Sequence, residues 1–228
     1  MGFVIDTPEI SSVAVHGSED RFPVRRVFCV GRNYAAHARE MGRDPDREPP
    51  FYFMKPTDAL VDSGVDVPYP SQTANLHYEA ELVVAIGKAC VDTNIEDALD
   101  YVYGYAVGND LTRRDLQLEA RDKGRPWDTG KGFDHSAPCA AIHTVDQVGH
   151  IENARIWLTV NGETKQDSNV NKLIWSIPEV ITNLSTLYTL QPGDLIYSGT
   201  PEGVGPVVAG DTIVVGVDGL TELETKIV

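Results

Sequence analysis

With 228 residues, 42% of them hydrophobic, the chain is long enough to bury a core without staples, which excludes a disordered segment and a disulfide scaffold. Nineteen basic against 34 acidic side chains leave a net charge of −15, a field that disfavours nucleic acid and membrane surfaces as partners. An anionic ligand would therefore need local positive charge from a metal ion, Arg or Lys.

Cys29, Cys90 and Cys139 form no Cys-x-x-Cys pair and read as core thiols of a reducing compartment. Asp6, Glu9, Glu19 and Asp20 stand where a secretory signal would need a basic start and an apolar run, so a cytoplasmic location is expected.

Residues 1–22 hold few apolar periods and read as an N-terminal arm, laid on the domain or on a partner subunit, ahead of a single domain over 23–228. Within that domain 24–30 reads as a strand closed by Gly31, and Asn33 is placed to cap a short helix over 34–41. Residues 42–50 are charged and proline-interrupted, a loop that is either a mobile cover or a solvated connector. Short strands follow at 51–54 and 62–69, then a stronger one at 78–86. A helix is expected over 95–101 with Asn94 as N-cap, a strand over 102–109 and a helix over 112–123. Beyond Gly124 and Pro126 come short strands around 139–143 and 155–161, the hairpin signal Asn161-Gly162, a helix over 177–188 and a strand-rich tail from 194. Strands outnumber helices without regular alternation, which favours a β-rich α+β domain over a doubly wound sheet.

Three constellations could carry chemistry. In His77-Tyr78-Glu79-Ala80-Glu81 the alternation of a strand sends both glutamates to one face, with Cα atoms roughly 6.5–7 Å apart. The pair is either a solvent-facing strand edge or an oxygen-only site for a hard cation such as Mg²⁺, Mn²⁺ or Ca²⁺. Asp110, between a strand and a helix, is either an N-cap or a third oxygen ligand. Arg114 and Gln117 share one side of the following helix, where they are either ordinary surface residues or a cation and an amide for an anionic substrate. His37 and Glu40 lie three apart in the first helix, as a surface ion pair or as a general base with its orienting carboxylate. Lys55 and Lys131, the latter between Gly130 and Gly132, could approach a buried anion. The chain holds no Gly-x-Ser-x-Gly elbow, no His-Glu-x-x-His zinc helix and no phosphate-binding Gly-x-x-x-x-Gly-Lys loop.

Taken in order, these pieces resemble the fumarylacetoacetate hydrolase family. The motifs are Gly31-Arg32-Asn33-Tyr34-x-x-His37-x-x-Glu40, Lys55-Pro56, His77-x-Glu79-x-Glu81-Leu82, Asn109-Asp110-x-Thr112-x-Arg114-Asp115-x-Gln117, Lys131, and Gly193-Asp194-x-Ile196-x-Ser198-Gly199-Thr200-Pro201-x-Gly203-Val204-Gly205. The resemblance runs from about residue 24 to the C-terminus and is to the short acylpyruvate hydrolases, the fumarylpyruvate hydrolases of gentisate breakdown above all. It implies a mixed β-sandwich roll with short peripheral helices, a homodimer, and Mg²⁺ or Mn²⁺ held by Glu79, Glu81 and Asp110. It also implies that His37 and Glu40 activate water, that Lys131 acts in catalysis, and that Arg114, Gln117, Thr200 and, as a weaker match, Lys55 contact substrate.

The implied reaction is hydrolysis of the carbon–carbon bond of a 2,4-dioxo acid, fumarylpyruvate giving fumarate and pyruvate. A hard cation chelated by the 2-oxo acid supplies the positive charge that the net charge of the chain lacks. The far carboxylate of such a substrate needs a partner of its own, and Arg32, Arg43, Arg47 and Arg113 are near in sequence. Relatives that decarboxylate oxaloacetate or isomerise a dienol-dioic acid are the nearest alternative, and a non-catalytic, metal-stabilised dimer is a remote one.

Overall fold

The computed structural model describes residues 2–35 and 48–228. A short hairpin comes first, β1 (Ser12–Ala14) paired with β2 (Arg21–Pro23). It is followed by β3 (Arg26–Gly31), β4 (Phe51–Lys55), β5 (Leu60–Asp62), β6 (Leu76–Tyr78), β7 (Ala80–Ile86), β8 (Val102–Asn109) and β9 (Thr112–Arg113). Two helices, α1 (Arg114–Asp122) and α2 (Asp128–Lys131), lead into β10 (Ala137–Cys139), β11 (His143–Thr144) and α3 (Val145–Val148). The chain closes with β12 (Arg155–Val160), β13 (Glu163–Asn169), α4 (Ile177–Leu187), β14 (Asp194–Tyr197), β15 (Gly205–Val207), β16 (Thr212–Val217) and β17 (Leu223–Lys226).

The largest sheet runs β4-β3-β14-β7-β8-β10-β5, with β11 also on β8, and is mixed: β14 lies parallel to β3 and β10 parallel to β5, while the other pairs are antiparallel. Both faces are covered, which is why β7 and β8 read as near-continuous apolar runs. Phe28, Val30, Leu82, Val84, Ile86, Tyr105, Val107 and Ile196 face one core, shared with β12, β16 and α4. Residues of the opposite parity, Val27, Cys29, Val83, Ala85, Ala106, Leu195 and Tyr197, face a second core closed by Val13, Val15 and Phe22 of the N-terminal segment. A second sheet, β13-β12-β16-β17, and a small one, β15-β6-β9, complete the β-rich α+β fold expected from the sequence.

Several expectations match closely. The strand 102–109 and the helix 177–188 fall on β8 and α4, and Asn161 (φ 52°) with Gly162 (φ 79°) forms the tight turn between β12 and β13. The three cysteines are buried free thiols, and burial raises each above its ordinary value, Cys139 to about 12. Others are corrected. Of the strand expected at 62–69 only Asp62 is strand, as the end of β5; Ser63 and Gly64 turn, and the rest is irregular apart from an isolated pairing of Val67 with Ile227. The helix expected over 95–101 is a single 3-10 turn, Ala98–Tyr101, whose buried residue is Ala98; the stretch has too few buried positions to carry a longer helix. The helix expected from Thr112 starts at Arg114, because Thr112 and Arg113 pair with His77 and Leu76.

Candidate active site

The strongest sequence signal, the strand through Glu79 and Glu81, is two strands with a break at Glu79: β6 belongs to the small sheet and β7 to the large one. The backbone there finds other partners. Glu79 N–H donates to Asn109 Oδ1 (3.0 Å), Ala80 N–H donates to Gln166 Oε1 (2.9 Å), and Glu79 C=O accepts from Asp110 N–H (2.9 Å). The last contact ties the end of β8 to the break and brings Asp110 beside the two glutamates. One carboxylate oxygen from each of Glu79, Glu81 and Asp110 lies within 4.8 Å of the others, and all three residues are buried. Asp110 is therefore not the cap of α1, whose N-cap is Arg113.

Three cations stand against the three acids. Lys131 Nζ donates to Glu79 Oε2 (2.8 Å), Asp110 Oδ2 (2.6 Å) and Thr112 Oγ1 (2.7 Å). Arg114 binds Glu79 Oε1 through Nη2 and Gln117 Oε1 through Nη1 (2.5 Å), so both substrate-contact candidates on α1 face the triad. Lys55 Nζ lies 2.8 Å from Asp110 Oδ1 and donates to the carbonyls of Leu111 (3.1 Å) and Lys131. Burial, with Asp110 and then Glu79 adding repulsion, pushes the Glu81 carboxyl well above its usual range, against the pull of the Gly199 N–H. Burial pulls Lys131 down, but the Asp110 and Glu79 carboxylates outweigh it and the ammonium is held more firmly than usual.

The third wall is the loop after β14. Gly199 N–H donates to Glu81 Oε2 (2.8 Å), and Asn33 secures that loop by donating to Ser198 C=O (2.9 Å) and Trp175 C=O (2.9 Å) while accepting from Trp175 N–H (2.7 Å). The amide expected to cap the first helix thus reaches across the fold. Gly199 has φ +102° and a Cβ on it would come within 2.7 Å of Asn33 Cβ, so only glycine fits. Next to it, Thr200 lines the cavity and its hydroxyl accepts from Gln166 Nε2 (2.9 Å).

The residues fit a hard divalent cation. Three buried carboxylates on rigid strand ends offer oxygen ligands, and among the described residues Asp110 Oδ1 has no aligned hydrogen-bond donor beyond its ion pair with Lys55. Glu79, Glu81 and Asp110 would hold the ion.

The structure thus brings Glu79, Glu81, Asp110, Lys55, Arg114, Gln117, Lys131 and Thr200 to one place; His37 and Glu40 lie outside the described residues. Arg32 lines the same cavity, whereas Arg113 turns its guanidinium over the Phe133 ring (4.5 Å), and Arg43 and Arg47 lie outside the described residues. Sequence reasoning missed the lining residues Phe53, Leu118, Arg121 and Trp127. Leu118 and Arg121 could have been found, because they continue the helix face of Arg114 and Gln117 at i+4 and i+7.

Gly130 sets the distance between α1 and Lys131: a Cβ there would lie 2.8 Å from Gln117 N and 2.9 Å from its Cα. Gly130→Ala is expected to destabilise by about 1–3 kcal/mol through overpacking, and to lower kcat/KM by about 10–100-fold because Lys131 and Gln117 are pushed apart. Steady-state kinetics and a thermal melt check both.

Against known proteins, residues 26–228 match the family model described as fumarylacetoacetate hydrolase, C-terminal. A fumarylpyruvate hydrolase from a Ralstonia species is 54% identical over 189 residues, covering 82% of this chain and 98% of the relative. An oxaloacetate tautomerase from Bos taurus is 42% identical over 203 residues, 89% of this chain and 91% of its own. A crystal structure of fumarylpyruvate hydrolase from Pseudomonas aeruginosa, in complex with Mn²⁺ and pyruvate, superposes with a TM-score of 0.97 at 52% identity, covering 100% of this chain and 99% of that one. With a buried acidic triad set at a strand break, and a match spanning nearly the whole sequence, the chain belongs to the fumarylacetoacetate hydrolase family.

Proposed function

We propose that the protein is a metal-dependent hydrolase that cleaves the carbon–carbon bond of an acylpyruvate, fumarylpyruvate giving fumarate and pyruvate. The observation that carries this reading is the buried Glu79, Glu81 and Asp110 cluster faced by Lys131 and Arg114. Lys55, Lys131 and Arg114 balance the three carboxylates, so an added divalent ion leaves the site positive, as an anionic 2,4-dioxo acid requires. The site thereby supplies locally what a chain of net charge −15 does not.

Mg²⁺ or Mn²⁺, when bound, supplies Lewis-acid stabilisation of the negative charge that develops on the 2-oxo oxygen. Arg114 and Gln117 orient the substrate carboxylate; with its Oε1 engaged by Arg114, Gln117 keeps its amide N–H groups for substrate. The Thr200 hydroxyl accepts from Gln166 and so keeps its own proton for a substrate oxygen. His37, oriented by Glu40, takes a proton from water as the water oxygen adds to the C4 carbonyl. The C3–C4 bond then breaks, Lys131 stabilises the departing enolate charge, and C3 takes up a proton to leave pyruvate. Lys55 anchors Asp110 and the Lys131 carbonyl from behind.

The protein works as a homodimer in the cytoplasm, in gentisate breakdown; among the described residues no helix is long and apolar enough to cross a membrane. Residues 1–22 serve as an arm, and its exposed Phe3, Val4, Ile5 and Ile10 are suited to contact with a partner subunit. The test is pyruvate release from fumarylpyruvate, acetylpyruvate and oxaloacetate, each with Mg²⁺, Mn²⁺ or EDTA. Metal-dependent cleavage of fumarylpyruvate is expected. Preference for oxaloacetate would replace this reading with that of its tautomerase and decarboxylase relatives, which share the family and about 40% identity.

A further inference from the structure

Helix α1 runs along the cavity with one face, Arg114, Gln117, Leu118 and Arg121, turned into it. At a rise of 1.5 Å per residue, Arg121 stands about 10.5 Å along the axis from Arg114. Arg114 is fixed at the inner end by Glu79 and Gln117. Arg121 is at the outer end, and its side chain, 29% exposed, pairs with the neighbouring carboxylate of Asp122, which is 65% exposed (Nη2–Oδ1 2.9 Å, Nε–Oδ1 3.0 Å). Such an exposed pair is weak and readily exchanged. By contrast, Lys55 and Lys131 are committed to buried carboxylates, and Arg114, tied to Glu79, serves the near carboxylate of the substrate.

Arg32 also lines the cavity, held at φ 59° with its guanidinium 5.7 Å over the Phe51 ring and 5.8 Å over the Trp127 ring. Left-handed backbone is uncommon outside glycine and recurs where a side chain is aimed for function. The flat rings of Phe53 and Trp127, 5.8 Å apart by centroid, line the same cavity as the two arginines. The cavity therefore combines a buried acidic, metal-holding cluster with aromatic walls and two guanidinium groups besides that of Arg114.

We propose that Arg121, assisted by Arg32, binds a second carboxylate at the far end of the substrate, making the site selective for 2,4-dioxo diacids over acylpyruvates that end in a methyl group. The proposal rests on the acylpyruvate-cleaving reading and adds the residues that read the far carboxylate. Six carbon–carbon bonds separate the carboxyl carbons of extended fumarylpyruvate, about 7.5 Å, a length of the same order as the spacing of Arg114 and Arg121. The flat conjugated segment between them suits aromatic walls. Guanidinium forks bind carboxylates in a bidentate manner, which a lysine cannot reproduce.

The test compares kcat/KM for fumarylpyruvate and acetylpyruvate, with Mn²⁺, in the wild type, Arg121→Gln and Arg121→Lys. In Arg121→Gln the ratio of the two, fumarylpyruvate over acetylpyruvate, is expected to fall about 10–100-fold, mostly through KM for the diacid. Arg121→Lys should recover part of that loss. A ratio unchanged within about twofold, at the precision of such kinetics, or an equal loss on both substrates, would overturn the assignment. A wild type that cleaves neither substrate would instead sink the underlying reaction, and the two failures are separated by which protein shows them.

Discussion

Lys131→Met is expected to cut kcat by about 10²–10³ with bound divalent metal and, in the metal-free protein, to cost about 3–5 kcal/mol of stability. Both effects follow from one group. The Lys131 ammonium spends its donors on Glu79, Asp110 and Thr112, so its loss leaves two buried carboxylates short of a partner. Methionine keeps the packing length without the charge, which separates electrostatics from cavity formation. Lys131 is held protonated above its ordinary 10.5, so its stabilising contribution is complete at neutral pH and fades only as pH rises past that value. Thermal melts in EDTA and in Mn²⁺ should show a large deficit that the cation partly removes, because it supplies the missing positive charge at the same carboxylates. Equal melting temperatures for variant and wild type in EDTA would show that Lys131 is not the counter-charge of the triad.

Which parts of this site could be read in advance follows from how far each depends on distant chain. Strand β8 was legible because a run buried on both faces carries its own signature, and so was the Asn161-Gly162 turn, whose two left-handed residues are a local demand. The acidic pair at the break between β6 and β7 was visible too, yet for an incomplete reason. Strand alternation puts Glu79 and Glu81 on one side, but they meet Asp110 because Asn109 and Gln166 replace ladder partners at the break, and Gln166 is 86 residues away from the backbone it binds. Asp110 looked like a helix cap for the same reason. Only the pairing of Thr112 and Arg113 with β6 pushes the helix start past it. The N-terminal hairpin was hidden because its apolar residues, Val13, Val15 and Phe22, are too few to show a period, although each is buried against the large sheet. Arg121 was within reach of a helical-face argument, whereas Phe53 and Trp127 meet only through the packing of β4 against the turn that carries Trp127. The chemistry at His37 and Glu40 rests on the motif Asn33-Tyr34-x-x-His37-x-x-Glu40.

Glu81→Gln is expected to lower metal affinity and turnover by about 100-fold or more, since changes even to groups supporting a metal ligand cost 10–100-fold, and to alter how stability depends on pH. Burial and the neighbouring Asp110 and Glu79 raise the Glu81 carboxyl well above 4.5, so the metal-free folded protein binds this proton more tightly than the unfolded chain does. Stability must then fall as pH rises from about 4.5 toward the raised folded value, because over that window the folded state holds the extra proton. His143 works the other way: burial and His16 lower it below 6.5, so it adds stability as pH rises toward that value. Comparing wild type with Glu81→Gln cancels His143 and isolates the carboxyl. In EDTA the wild type should lose stability relative to the variant as pH climbs, while in Mn²⁺ it should gain, since the cation binds the ionised triad and each binding event releases the Glu81 proton. The same linkage makes metal affinity rise with pH until Glu81 is ionised without help. Parallel pH profiles for the two proteins in EDTA would mean that Glu81 ionises in the fold as it does in water, and that the cost of gathering three buried carboxylates is met by Lys55, Lys131 and Arg114 without a proton or a metal ion.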